Sequence, residues 1–203
     1  GGVQPQSETV WRQANKYKVP RICYINKMDR MGADFYKVVD EIKTKLNAKP
    51  LVLQLPIGEE DSFCGLIDLL ENKAYIWSDD DGIKFEVQEI PENMKEISSK
   101  YRNRLIETIV EEDEELMTKF FNDPDSITNQ ELRKVIREAT INLKFFPILC
   151  GSSFKNKGVQ PLLNAIVDYL PCPTELPDLY GKDFNGKDVL IPVDENAPFA
   201  ALA

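Results

Sequence analysis

The sequence predicts an α/β fold in which a parallel sheet is interrupted by an inserted α+β subdomain. Three observations predict it. The apolar runs Ile22–Ile25 and Phe145–Cys150 read as short strands buried on both faces, the kind found in parallel sheets. Helical apolar patterns flank each run. Between the two runs the pattern changes, from Pro50 onward, to short strand candidates followed by charged helices.

In order along the chain, residues 5–18 read as a helix. Val10, Trp11, Ala14 and Tyr17 recur at helical spacing, and Pro5 suits a first turn. After Val19 and Pro20 comes the strand Ile22–Ile25. Gly32 breaks the chain, and Phe35, Val38, Val39, Ile42 and Leu46 line a second amphipathic helix. Leu51–Leu55, Gly65–Ile67, Ala74–Trp77 and Ile83–Val87 are strand candidates, with Asp79–Gly82 as a hairpin tip. Helices are expected at 92–121 and 129–143, separated by the break at Asn122–Asp125. The strand 145–150, the loop Gly151–Gly158 and a helix over Val159–Leu170 restore the first rhythm. Pro171, Pro173 and Pro177 then mark a linker. Val189–Val193 and Pro198–Ala203 read as the opening strands of another domain. No internal repeat is present.

Composition narrows the function. The net charge of −9 argues against direct nucleic-acid binding, which usually draws its affinity from a basic surface. No apolar run is long enough for a membrane-spanning helix, and no signal pattern opens the chain, so a cytoplasmic setting is expected. Cys23, Cys64, Cys150 and Cys172 form no C-x-x-C pair and read as reduced, buried thiols. Histidine is absent, which removes imidazole base catalysis and histidine-held metals.

The strongest motif is Asn26, Lys27, Met28 and Asp29, directly after the first strand. Open α/β sheets bind ligands at that end of their strands. A guanine edge presents two adjacent donors, N1–H and the exocyclic amine, and one carboxylate accepts both. Adenine would leave that carboxylate unpaired, and sites built this way reject the wrong analogue by roughly four to five powers of ten. Asp29 is the candidate carboxylate. Lys27 can lay its stem along one face of the base. Asn26 can bond the N7 edge and brace a neighbouring loop. The competing reading of these four residues is a polar turn.

The loop Gly151–Gly158 also follows a buried strand and precedes a helix. Ser152 can hold the Asp29 carboxylate in line, a backbone N–H near Ser153 can donate to guanine O6, and Phe154 can close the second face. The competing reading is a Gly/Ser loop that caps the next helix. Both loops together, in this order, favour the base-reading interpretation.

Val3–Arg12 (VQPQSETVWR), Asn26–Gly32 (NKMDRMG), Gly151–Gly158 (GSSFKNKG) and the tail Pro198–Leu202 (PFAAL) resemble the bacterial-type elongation factor G family of translational GTPases, over essentially the whole chain. Ser153 stands where that family commonly has Ala. The resemblance implies a partial P-loop GTPase-type sheet. Residues 1–47 and 144–171 would belong to the GTP-binding domain, 48–143 to an inserted α+β subdomain, and 172–203 to a linker and the first strands of a β-barrel domain. It implies GTP/GDP with Mg²⁺, the ribosome as partner, a monomer, and ribosomal translocation of tRNA and mRNA. A release-factor or ribosomal-protection GTPase is the nearest alternative. A non-catalytic interaction module is the alternative from another class.

The phosphate loop, the Mg²⁺ threonine and the D-x-x-G element of such enzymes are not found here, so a fragment without catalytic or metal-binding residues, and without tightly bound nucleotide, is expected. Gly181–Lys187 matches G-x-x-x-x-G-K, but Asp188 stands in place of Ser or Thr and a strand candidate follows. Asp79–Gly82 and Asp178–Gly181 match D-x-x-G only as acidic turns. The run Glu111, Glu112, Asp113, Glu114 and Glu115 reads either as a solvated helix end or as a docking strip for a basic partner. The resemblance favours docking to the C-terminal domain of the ribosomal stalk protein.

Overall fold

The computed structural model describes residues 2–79, 81–175, 179–183, 185–194, 196–197 and 199. The chain divides into two units, Gly1–Leu170 and Pro171–Ala203. The first opens with α1 (Pro5–Lys16), β1 (Cys23–Ile25), α2 (Phe35–Lys45) and β2 (Pro50–Val52). An antiparallel sheet follows: β3 (Gln54–Ile57), β4 (Gly65–Asp68), β5 (Lys73–Ile76) and β6 (Glu86–Gln88). Then come α3 (Lys95–Val110), α4 (Glu114–Asn122), α5 (Asn129–Ile141), β7 (Phe146–Cys150) and α6 (Val159–Tyr169). The second unit holds a 3₁₀ turn at Pro173–Glu175 and the hairpin of β8 (Leu179–Lys182) and β9 (Asp188–Ile191). The expected strand Pro198–Ala203 lies outside the described residues except for Phe199.

The parallel sheet has the order β1-β7-β2, with β7 in the centre and every β7 residue buried. Pro147 sits in this central strand, where a missing N–H usually disrupts a ladder. Here Phe146 donates to Lys49 and Ile148 accepts from Leu53, both on the β2 side. The Pro147 nitrogen therefore faces the β1 side, one position before β1 begins to pair at Ile148, and no ladder bond is lost.

The run Leu51–Leu55, expected as one strand, is two. β2 pairs with β7, Leu53 donates to Ile148, and the chain then enters the antiparallel sheet β3-β4-β5-β6. The Gln54 side chain takes over the next ladder position, accepting from the Cys150 N–H at 3.2 Å. One residue thus carries the chain from one sheet to the other, which apolar pattern alone does not reveal because both strands are buried.

The helix expected at 92–121 is also two, after a 3₁₀ turn at Glu92–Met94. The break falls at residues 111–113, where Asp113 turns out of α3 and caps α4 by accepting from the Leu116 N–H. Asp34 caps α2 in the same way, through Lys37. Thr128 and Glu131 form a reciprocal capping box on α5. Leu55, Leu66, Ile67, Leu69, Ile109, Leu132, Ile136 and Phe145 are fully buried and join both sheets and the helices in one core. Among the described residues, no helix is long and apolar enough to cross a membrane.

The expectation of uniformly buried thiols holds only in part. Cys150 is buried, Cys23 and Cys64 are half-buried, and Cys172 is exposed. Cys172 falls in the proline-flanked turn after α6, outside any apolar run.

Candidate base-recognition site

The two predicted loops meet at the C-terminal ends of β1 and β7. The parallel pairing forces this, since it sets Ile25 beside Cys150. Backbone bonds tie the loops together: Gly151 N–H to Ile25 at 3.1 Å, and Met28 N–H to Gly151 at 3.1 Å. Gly151 allows this approach. A Cβ there would lie 2.2 Å from the Tyr24 hydroxyl and 2.4 Å from the Lys157 carbonyl.

Asn26 is the hub. Its Oδ1 accepts from the Lys27 N–H at 2.7 Å and the Ser153 N–H at 2.9 Å, and its Nδ2 lies 2.8 Å from Ser153 Oγ. The bracing role expected of Asn26 is therefore present. The Ser153 N–H is committed to Asn26. The next N–H along, that of Phe154, has no internal partner among the described residues. Lys27 takes a left-handed conformation, φ 65°, and its side chain is exposed.

Asp29 is 6% exposed, yet its Oδ1 has no hydrogen-bond partner. The other oxygen lies 3.9 Å from Arg30 Nε and 4.0 Å from Lys155 Nζ. Burial pushes its pKa up. The Ser152 hydroxyl, its own backbone N–H and the Lys155 and Arg30 charges outweigh this and hold the carboxyl below its usual range. The carboxylate is thus ionised and presents one oxygen that no group among the described residues satisfies.

Ser152 is fully buried and paired with Lys157 across the loop, so its position is fixed by backbone bonds of 2.9 and 3.0 Å. Phe154 is 84% exposed, with the Arg30 guanidinium 5.9 Å from its ring centre. Lys155 and Arg30 were not singled out from sequence. Their role depends on two loops meeting, which no local pattern encodes.

The acidic run is not one helix face. Glu111 and Glu112 lie 3.7 and 3.4 Å from Lys49, Asp113 is a helix cap, and Glu115 lies 3.8 Å from Lys119. Glu114 and Glu115 occupy the first turn of α4, where negative charge suits the helix N-terminus. The mutual repulsion of these charges is thus offset within the chain.

The profile of the elongation factor Tu GTP-binding domain family matches residues 1–172. Elongation factor G of Amoebophilus asiaticus is 55% identical over the whole chain, and that of Neorickettsia sennetsu is 52% identical. The chain spans 29% of the length of each. A crystal structure of a Thermus thermophilus protein is 31% identical with a TM-score of 0.76, covering 86% of this chain and 26% of that one.

Proposed function

Since the chain belongs to the elongation factor Tu GTP-binding domain family, we propose that its two loops read the guanine of GTP or GDP through Asp29. The observation that carries this reading is the ionised, buried carboxylate with one unpartnered oxygen. A buried acceptor left unpaired costs free energy, and guanine N1–H and its amine are a matching pair of donors. Ser152 keeps the carboxylate in line, Lys27 covers one face of the base and Phe154 the other. Asn26 fixes the distance between the loops. An N–H of the 153–155 turn bonds O6.

Residues 1–52 and 144–171 form the base-reading part in this proposal. The inserted subdomain is taken at about 48–143, and the pairing of β2 with β7 supports counting residues 48–52 with the base-reading part. A protein of the relatives' full length would hold the phosphates and Mg²⁺ with residues outside this chain. Coupling GTP hydrolysis to translocation of tRNA and mRNA is the activity proposed for it. This chain alone hydrolyses nothing in this reading and binds guanine nucleotides weakly. One or two charge-assisted bonds of roughly 1.5–3 kcal/mol must offset an association cost of several kcal/mol. Docking of the inserted subdomain to the ribosomal stalk rests on the exposed carboxylates of Glu111 and Glu115.

The test is an NMR titration of the ¹⁵N-labelled chain with GMP and AMP. Shifts at residues 26–30 and 151–155 with GMP, in the millimolar range and weaker with AMP, are expected. Equal response to both bases removes Asp29 from base reading. Micromolar GDP affinity by calorimetry would show that phosphate contacts from outside the chain are not needed.

A further inference from the structure

The two turns at one end of the antiparallel sheet each rest on one of the base-reading loops. The turn between β3 and β4 touches the first. The Glu60 N–H donates to Met28 at 3.1 Å, and Glu60 Oε1 accepts from the Gly32 N–H at 2.7 Å. The turn between β5 and β6 touches the second. Gln160 Nε2, on the first turn of α6, donates to the carbonyls of Gly82 at 2.9 Å and Ile83 at 3.2 Å. Gly82 packs so closely that a Cβ would lie 2.2 Å from the Lys155 carbonyl, and Lys155 is one of the two cations beside Asp29.

We propose that the antiparallel sheet is a clamp that positions both loops of the base site, with Glu60 and Gln160 as its positioning residues. This rests on the base-reading proposal above. Three features set these contacts apart from incidental packing. Glu60 has φ 51°, a conformation disfavoured for a residue with a side chain, and it persists only where the surroundings hold it. The surroundings do so: Glu59 and Ser62 bond reciprocally across the turn, and a Cβ on Gly58 would lie 2.0 Å from the Ser62 carbonyl. Gln160 leaves its own Oε1 buried without a partner among the described residues while both donations go to the turn. Finally, both turns belong to one hydrogen-bonded sheet, tied at this end by the Trp77 N–H to Cys64 bond at 2.9 Å. A displacement of the sheet therefore moves Met28 and Lys155 together, on the two sides of Asp29.

The test uses the full 203-residue chain. Glu60→Gly removes the carboxylate but tolerates the positive φ, and Glu60→Gln keeps an acceptor and serves as the rescue. Gln160→Ala removes the donor at a helical position that favours Ala. Amide hydrogen exchange should accelerate at 28–33 for Glu60→Gly and at 81–84 and 153–157 for Gln160→Ala, with Glu60→Gln close to wild type. GMP affinity by NMR should fall by about threefold to tenfold in the two loss variants, the effect of one or two backbone hydrogen bonds. Unchanged exchange in the loops, or faster exchange with unchanged GMP affinity, overturns the clamp. A wild-type chain that shows no GMP-dependent shift sinks the base-reading proposal by itself, and loop exchange then decides whether the sheet braces the loops.

Discussion

Replacing Asp29 by Asn separates the role of its carboxylate in folding from its role in recognition. Oδ1 has no hydrogen-bond partner among the described residues, so no bond there depends on it. The other oxygen loses its attraction to Arg30 and Lys155 at 3.9 and 4.0 Å. Those side chains are 66% and 39% exposed, so solvent screening limits each pair to below about 1 kcal/mol. Two such pairs total less than about 2 kcal/mol, so the melting temperature should move by no more than roughly 4–8 °C for a chain of this length. Binding should change far more. Guanine brings two donors to a charged acceptor, each bond contributing about 1.5–3 kcal/mol. An amide presents one acceptor and one donor to the same edge. The loss is then roughly 3–6 kcal/mol, two to four powers of ten in affinity. GMP shifts should vanish. Xanthosine monophosphate should gain, because its 2-carbonyl can accept from the new amide. The assay is the paired NMR titration of wild type and Asp29→Asn with both nucleotides, alongside thermal unfolding. Unchanged GMP preference refutes the base-reading role. A melting temperature lowered by tens of degrees would show that the carboxylate serves folding instead.

Thr128→Ala should lower stability by about 1 kcal/mol through loss of the α5 cap, measured by urea denaturation. Glu131 is held down to about 2 by Lys119 and by the Thr128 backbone and hydroxyl. Because its folded pKa is depressed, its contribution is present above the ordinary glutamate range and fades as pH falls from there through about 2. Glu131→Gln should flatten that part of the stability–pH curve, and an unaltered curve would exclude this assignment. Titration with a thiol reagent should show Cys172 reacting first, since it is exposed. Cys150 should react last, because burial raises its pKa and shields it. Charge reversal of Glu111 and Glu115 should slow association with stalk-bearing ribosomes in a salt-dependent manner, measured by stopped flow on a protein of the relatives' full length; an unchanged on-rate would leave them as solvated carboxylates.

Much of the fold was legible because its signals are local. The apolar runs at 22–25 and 145–150 became β1 and β7, and the polar residues after each run were brought together by parallel pairing. Three features were not legible. Leu51–Leu55 read as one strand because burial on both faces hides the passage from one sheet to the next. Residues 92–121 read as one helix because Asp113 is a cap only once Leu116 presents its N–H. The strand β8 carried too little apolar pattern to be noticed, and among the described residues it pairs within its own hairpin. In the proposed site, Asp29, Asn26 and Ser152 were singled out from their place after strands. Glu60 and Gln160 were not, since each acts across a long stretch of sequence and neither belongs to a motif.

The single residue that joins β2 to β3 has a consequence for how the molecule acquires its structure. β2 has one partner in its sheet among the described residues, and that partner is β7, 96 residues later; bringing such distant ends together in a disordered chain costs about 4 kcal/mol of entropy. If the intervening segment folds first, its own ends already lie side by side. A single residue separates β2 from β3, and β7 begins a few residues after α5. The long closure then becomes a short one. The expected order is that the antiparallel sheet and its helices consolidate early, and the parallel sheet, with the two loops at its edge, docks afterwards. Mutations in the buried Leu66 and Ile136 should therefore slow the appearance of loop protection at residues 26–30 and 151–155 during refolding, although neither residue belongs to those loops.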